Sequence, residues 1–281
     1  MRILFIVVIF AFAAPAAAIA QMAPVVHANV IIPKPAPVAP ITNFVNADGR
    51  TTMVVEGEGA TLRGWKYRGA DAAAPTVVFF NGNAGTIDAS DPFYRTLAAL
   101  GPTIVAFDYR GYGFSTGIPD VAAFQADGVR IVDTVAFTDK SHPVVVCGFS
   151  LGTAIATYVA ARRTIAGLIL AAPFPSAKAE FPTFAKASGI PDAIAATIEI
   201  APDAVDAFAE ADNVAKSKAP LLVLHGTDDR EVPVALGRDV LAASASPRKL
   251  FVELPGTGHN DTLSRPAALA AIRAFIASLK P

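Results

Sequence analysis

The sequence predicts an α/β fold in which helices cover both faces of a doubly wound, mostly parallel eight-stranded sheet. Short unbroken apolar runs alternate with longer helical stretches, which is typical of parallel strands that are buried on both faces. The 281 residues are 53% hydrophobic and 17% charged, so the chain can bury a large core. A single domain of α/β size fits this length and composition.

The first two strands are expected as an antiparallel pair, residues 52–56 and 61–67, around a Gly-Glu-Gly turn. Six strands and five helices then alternate. The strands are predicted at residues 76–80, 103–107, 144–147, 167–171, 221–224 and 249–254. The helices are predicted at residues 94–100, 121–136, 153–162, 234–243 and 266–279. Ligands of such sheets bind at the carboxyl ends of the strands, so functional residues are expected there.

Residues 174–212 interrupt this alternation with an excursion rich in aromatic and aliphatic residues and prolines. Two interpretations are open. The segment is either a small cap that overhangs the functional site or an ordinary packing helix with irregular flanks.

The N-terminus is typical of a targeting segment. Arg2 precedes an apolar run and a stretch of small residues, and the tripeptide before Gln21 fits signal peptidase cleavage. Residues 1–20 are therefore predicted to be a signal peptide of an exported, periplasmic or secreted protein; the alternative is a retained membrane anchor. Residues 21–42 are a Pro-rich leader, part of which is expected to pack on the domain formed by residues 43–281.

Charge and cysteine content exclude several classes. With 23 basic and 24 acidic residues the net charge is -1, and no basic patch indicates a nucleic-acid partner. Cys147 is the only cysteine, which rules out an intramolecular disulfide and a thiolate zinc cluster. The glycine-rich stretch 81–85 lacks the Lys and Ser/Thr of a phosphate-binding loop. No metal or cofactor is expected.

The candidate nucleophile is Ser150. It lies in a Gly-x-Ser-x-Gly pattern that follows an apolar strand and precedes an Ala-rich helix, which is typical of a nucleophile elbow. Ser115 lies in the same five-residue pattern, but a polar loop precedes it and Pro119 follows, so it is interpreted as a loop serine.

A serine needs a base within hydrogen-bond reach and a group that orients the base. Of the four histidines, His259 is favoured because it lies in a glycine-rich loop between the last strand and the last helix. His225 is interpreted as shaping a turn. The orienting acid is expected in the loop after residues 221–224, where Asp228 and Asp229 both qualify; helix capping is the alternative role for both.

These motifs resemble those of the α/β-hydrolase superfamily, over residues 51–280. Four blocks carry the resemblance: residues 79–85, residues 107–115, residues 148–152, and the aspartate loop followed by Gly258-His259. The chain is similar to small single-domain serine hydrolases with an N-terminal export or membrane segment, some of which remove acyl chains from protein cysteines.

The resemblance implies specific roles. In those relatives the acid stands three residues before a Val-Pro pair, which corresponds to Asp229, and the chain order Ser, Asp, His agrees. The backbone N–H groups of Leu151 and Asn83 would form the oxyanion hole. The relatives usually have histidine where this chain has Asn81. Asp108 and Arg110 match a block that mostly holds loops together.

The expected chemistry is cleavage of a carboxylic ester or thioester through an acyl-enzyme on Ser150, with a small-molecule or lipid-like acyl substrate. Membrane association is expected only through the N-terminal segment. Two alternatives are a peptidase of the same fold and a catalytically silent binding module at the cell envelope.

Overall fold

The structure is a computed structural model that describes residues 24–30 and 40–279. The predicted signal peptide or anchor, residues 1–20, lies outside the described residues, as do residues 21–23 and 31–39 of the predicted leader. None of the helices in the described ranges has both the length and the apolar character needed to cross a bilayer.

The predicted eight-stranded sheet is confirmed. Its order is β10-β9-β7-β6-β4-β5-β3-β2, and a separate pair joins β1 to β8. In the large sheet β3 pairs antiparallel with both of its neighbours, β2 and β5, and all other pairs of adjacent strands are parallel. The strands are β1 (Val25–Val26), β2 (Arg50–Gly57), β3 (Ala60–Tyr67), β4 (Thr76–Phe80), β5 (Thr103–Phe107), β6 (Val144–Phe149), β7 (Gly167–Ala171), β8 (Glu199–Ile200), β9 (Leu221–Gly226) and β10 (Lys249–Leu254).

Helices cover both faces of this sheet. They are α1 (Asp91–Ala99), α2 (Val121–Thr138), α3 (Leu151–Ala160), α4 (Ala177–Ala187), α5 (Asp192–Ala195), α6 (Pro202–Ala207), α7 (Glu210–Val214), α8 (Val234–Ala243) and α9 (Pro266–Ala277). Single 3₁₀ turns lie at Ala28–Val30, Ile41–Asn43 and His259–Asp261.

The central strands are apolar throughout because each of their two faces meets a separate core. In β4, Val78 and Phe80 belong to one core, whereas Val77 and Phe79 belong to the other. Side chains of α2, α3 and α8 complete the first core, and those of α1 and α9 complete the second. Alternate residues of a strand point to opposite faces, so a two-sided core demands an unbroken apolar run.

Three predicted boundaries differ from the structure at the carboxyl ends of the strands. β6 continues beyond Cys147 to Phe149, and α3 begins at Leu151 rather than Thr153. β9 likewise continues through His225 and Gly226. Both strands are longer because their last residues remain paired with a neighbouring strand, including Phe149 with Ala171. A single residue therefore makes the turn from β6 into α3.

Part of the leader packs on the domain, as its apolar residues predict. β1 pairs in parallel with β8, which belongs to the segment 174–212, hereafter the insert. Asp203 of the insert accepts hydrogen bonds from the His27 side chain and from the backbone N–H of Ala28, at 3.0 and 3.1 Å. The side chain of Asn29 donates to Asp120, the N-cap residue of α2.

Candidate active site

Ser150 is the single residue between β6 and α3. Its backbone has φ 50° and ψ −122°, a positive φ that a residue with a side chain rarely adopts. Its N–H donates to the carbonyl of Ala171 at 2.9 Å, and its carbonyl accepts from the N–H of Thr153 at 2.8 Å. This tight turn presents the hydroxyl beyond the carboxyl end of the sheet.

The two glycines of the pattern are required by close backbone contacts. A Cβ at Gly152 would lie 2.2 Å from the carbonyl oxygen of Phe80, and one at Gly148 would lie 2.4 Å from the carbonyl oxygen of Gly152. No side chain fits at either position unless the backbone moves. The spacing of the pattern therefore follows from the packing of α3 against β4 and β6.

His259 lies beside Ser150 and is almost completely buried. Its Nε2 is 2.9 Å from Ser150 Oγ, and its Nδ1 is 2.7 Å from Asp229 Oδ2. Because an ionised carboxylate only accepts, Nδ1 carries a proton toward Asp229, and Nε2 of the neutral ring is left to accept from the serine hydroxyl. The ring of Phe149 packs 5.0 Å from the imidazole, centroid to centroid.

Asp229, rather than Asp228, is the carboxylate that contacts the imidazole. Asp228 is exposed, whereas Asp229 is buried in the turn after β9. Asp229 Oδ1 accepts from the backbone N–H groups of Glu231 and Val232 at 2.9 and 2.8 Å. Capping of α8 is not its role, because the N-cap residue of that helix is Pro233. The two amides hold the carboxylate so that Oδ2 faces His259.

His225 has a role that the sequence did not predict. It is the next-to-last residue of β9, fully buried, with Nε2 2.8 Å from the carbonyl oxygen of Val232 and 3.6 Å from Asp229 Oδ2. Nε2 must carry a proton in order to donate to that carbonyl. Burial lowers the pKa of His225, which keeps the ring neutral. The interpretation of His225 as a turn former is therefore incomplete, because it also supports the turn that holds Asp229.

The loop after β4 lies against the candidate nucleophile. A Cβ at Gly82 would come within 3.4 Å of the Ser150 Cβ, and the exposed Asn83 follows directly. Asn81 braces this loop: its side-chain oxygen accepts from Tyr94 and its backbone carbonyl accepts from Tyr109, each at 2.6 Å.

Leu151 begins α3 immediately behind Ser150. Backbone N–H groups in the first turn of a helix have no carbonyl partner within the helix, so the N–H of Leu151 suits an anion beside Ser150.

Ser115 occupies a different place. It is buried in the loop after β5, where its hydroxyl donates to the carbonyl of Asp108 and accepts from the N–H of Arg63. The Asp108 carboxylate accepts from the N–H groups of Ile87 and Phe114, and Arg110 forms an ion pair with Asp127 at 2.6 Å. These contacts hold loops together, as the sequence pattern suggests.

The insert brings a further carboxyl group near this site. Glu180 lies in the first turn of α4. Burial raises its pKa to about 8, and the negative charges of Asp229 and Glu231 add to the shift. α4 is therefore close enough to the Asp229 turn for their charges to interact.

Metal ligands are not grouped at this site. Across residues 24–30 and 40–279, no cluster of three or more His, Cys, Asp or Glu side chains has the arrangement needed to hold a metal ion.

The sequence is similar to that of one protein family and to several known proteins. A family model described as serine aminopeptidase, S33, matches residues 71–204. The uncharacterized protein Rv2307c of Mycobacterium tuberculosis is 31% identical over 256 residues, which cover 88% of this chain and 85% of that protein. The lysophosphatidylserine lipase ABHD12 of Macaca fascicularis is 32% identical over 235 residues, 74% of this chain. The match covers 52% of that lipase, so the chain spans about half of its length.

Among solved structures, the Pyrococcus furiosus esterase Pf2001 superposes with a TM-score of 0.69 at 17% identity, covering 89% of this chain and 97% of the esterase. At that identity the likeness concerns the fold. The strand order and the similarity along most of the sequence show that the chain belongs to the α/β-hydrolase superfamily, and the family model and the lipase relative support a hydrolase.

Proposed function

We propose that this protein is a serine hydrolase that cleaves carboxylic ester or thioester bonds of apolar acyl groups. The observation that carries the proposal is the continuous hydrogen-bond chain from Ser150 through His259 to Asp229, with distances of 2.9 and 2.7 Å. A base within reach of the hydroxyl and a buried acid behind the base are what nucleophilic catalysis by serine requires.

In the proposed mechanism His259 removes the proton from Ser150 as the hydroxyl oxygen attacks the acyl carbonyl. Asp229 fixes the tautomer and orientation of the imidazole and stabilises its charged form. The backbone N–H groups of Leu151 and Asn83 stabilise the negative oxygen of the tetrahedral intermediate. His259 then protonates the leaving group. In the second half, water activated by His259 hydrolyses the acyl-enzyme and Ser150 is regenerated.

The composition of the insert supports an apolar acyl group. Phe174 and Phe208 are buried against each other with centroids 5.8 Å apart, and Phe181 packs on Phe184 at 6.3 Å. Besides burial, the charge of Asp229 raises the pKa of Glu180, which supports a position of this apolar segment near the proposed catalytic acid. An insert that acts as a small cap and walls an acyl pocket accounts for both features. A lipid-like substrate agrees with the ABHD12 relative, which is a lysophosphatidylserine lipase.

The first test uses the second Gly-x-Ser-x-Gly pattern of the chain as a matched control. Ser150→Ala should remove nearly all hydrolysis of p-nitrophenyl esters, because the nucleophile is lost. Ser115→Ala should keep hydrolysis, since that serine only ties loops. A fluorophosphonate probe should label the wild type and Ser115→Ala, but not Ser150→Ala. Full hydrolysis by Ser150→Ala would exclude the mechanism, and an unlabelled wild type would favour a silent binding module.

The second test separates the substrate classes. Wild-type rates should be compared on p-nitrophenyl esters of graded chain length, an acyl thioester, a lysophospholipid and aminoacyl p-nitroanilides. We expect a preference for esters or thioesters with an apolar chain. Because the matching family model carries the description of an aminopeptidase, faster cleavage of the anilides would instead assign a peptidase.

A further inference from the structure

A buried carboxyl group, Glu210, lies behind the candidate nucleophile and takes no part in the proposed reaction. It is the first residue of α7, which packs against α3, and its side chain is completely buried. A carboxyl group in such surroundings is costly unless it is neutral or paired with a cation.

The contacts of Glu210 determine where the protons lie. The hydroxyl of Thr153 is 2.8 Å from Glu210 Oε1 and 2.6 Å from the carbonyl oxygen of Ser150. This hydroxyl has one proton, and the Ser150 carbonyl can only accept. If the hydroxyl donates to Ser150, as the shorter distance favours, then Glu210 must donate to Thr153. That arrangement requires a protonated carboxyl group.

Two further observations agree with a neutral Glu210. Among the described residues, its Oε2 has no hydrogen-bond partner, so an ionised carboxylate would carry buried negative charge on an oxygen that accepts no hydrogen bond. Burial raises the pKa of Glu210 well above its ordinary value, although the Thr153 hydroxyl and the N–H of Phe174 oppose the shift.

The helices around Glu210 supply no buried cation. The titratable side chains of α3 and α8, the helices packed against α7, are Tyr158, Arg238 and Asp239, and α7 itself adds Asp212. Arg238 is exposed and paired with Glu253, and both aspartates are exposed.

We propose that Glu210, as a neutral acid, is a positioning residue that fixes the carbonyl of Ser150 through the hydroxyl of Thr153. The angle ψ of Ser150 sets the direction of that carbonyl, so the two hydrogen bonds in series hold the strained turn that presents the nucleophile. Ionisation of Glu210 would draw the Thr153 proton away and leave two oxygens facing each other at 2.6 Å. The kinetic consequences of this inference rest on the proposed serine chemistry, whereas the neutral state of Glu210 does not.

The kinetic test removes the bonds one at a time, with the p-nitrophenyl ester that the wild type cleaves fastest. Glu210→Met and Thr153→Val should each lower kcat about 10-fold while KM changes less than about twofold, because both side chains are completely buried and inaccessible to an ester. The double variant should be no slower than the slower single variant, since both changes break one chain of bonds.

Conservative variants give the rescue. Glu210→Gln, whose amide can donate to Thr153, should keep kcat within about threefold, and Thr153→Ser should do the same. Asp212→Asn is the control for an exposed carboxyl group on the same helix. A Glu210→Gln enzyme as slow as Glu210→Met, or a Thr153→Val enzyme with wild-type kcat, would overturn the proposal. If Glu210→Met fails to fold, Thr153→Val decides.

A measurement without substrate separates this inference from the proposed function. A carboxyl group whose folded-state pKa is raised loses its contribution to stability as pH rises from its unfolded pKa toward its folded one. The glutamine of Glu210→Gln cannot ionise. The melting temperature of this variant, relative to that of the wild type, should therefore rise from about pH 5 to about pH 8. If the melting temperatures of the wild type and Glu210→Gln changed with pH in parallel, Glu210 would not be neutral in the folded protein. That conclusion would hold even if the wild type hydrolysed no ester at all.

Discussion

Ser150 adopts a backbone conformation that costs about 1–3 kcal/mol for a residue with a side chain. The structure holds it from both sides, through the carbonyl of Ala171 and the N–H of Thr153. The close contacts at Gly148 and Gly152 leave no room for larger residues. This explains why the short sequence pattern is informative: its residue types are those that the turn sterically permits.

Other features of the site depend on burial, which a sequence pattern does not specify. Asp228 and Asp229 are adjacent and chemically equal in the sequence; the resemblance favoured Asp229, and only its burial against His259 distinguishes it physically. The glycine that follows His225 indicates a turn residue. Its contact with Val232 depends on a turn that no local signal indicates.

At the scale of single residues, His225 should matter for the rate without contacting substrate. His225→Phe removes the donor to the Val232 carbonyl and loosens the turn that holds Asp229, so kcat should fall about 10-fold with little change in KM. His225→Gln, whose amide nitrogen can replace Nε2, should keep kcat within about threefold. Steady-state kinetics on a p-nitrophenyl ester measures both.

A second substitution tests the same contact from the opposite side. A Cβ at Gly237 would lie 2.2 Å from Nδ1 of His225, so Gly237→Ala should displace the ring and resemble His225→Phe. Thermal unfolding provides the check: a normal kcat combined with a lower melting temperature would make His225 a residue of the fold alone.

At the scale of elements, the sequence alone does not decide whether the insert is a cap or a packing helix. The start of α4 follows from a local signal, because the Ser176 hydroxyl accepts from the N–H of Ala179 as an N-cap. The position of α4 near Asp229 does not follow from a local signal, because it depends on contacts with distant parts of the chain. Burial raises the pKa of Glu180 most, and the nearby charges of Asp229 and Glu231 raise it further.

The position of α4 predicts a pH-dependent change in stability. The pKa of Glu180 rises from an ordinary value to about 8 on folding. Its contribution to the free energy of unfolding is therefore complete at low pH and is lost as pH rises through 8. Glu180→Gln should therefore gain in melting temperature over the wild type from about pH 5 to about pH 8. Glu199→Gln, at an exposed carboxyl group of β8, is the matched control and should run parallel to the wild type.

At the scale of the whole molecule, the sheet could be predicted because a core on both faces imposes a pattern on each central strand. Four predicted strands, including Thr76–Phe80 and Thr103–Phe107, match the structure at both ends. The pairing of β1 with β8 could not be predicted, because two-residue strands carry no periodicity and the partners are far apart in sequence.

The junction between leader and insert can be tested by exchange of backbone amides. Asp203→Ala removes the acceptor for His27 and Ala28, and because these contacts are partly exposed we expect a loss of about 1 kcal/mol. Amides of residues 192–207 should then exchange about fivefold faster, while those of β6 and β7 stay unchanged. Asp206→Ala, at an exposed position of the same helix, is the control. Equal exchange in both variants would mean that the junction adds nothing to local order.

The β1–β8 pairing also determines how a mechanical load enters the protein. A pull applied to the chain ahead of Pro24 acts on the two-residue pairing of β1 with β8, on the hydrogen bonds to Asp203 and on the hydrogen bond from Asn29 to Asp120. A pull on the C-terminal end of α9 bypasses the insert altogether. Loads applied at the two ends should therefore affect the insert differently, because of these two segments it is the N-terminal one that pairs with a strand of the insert.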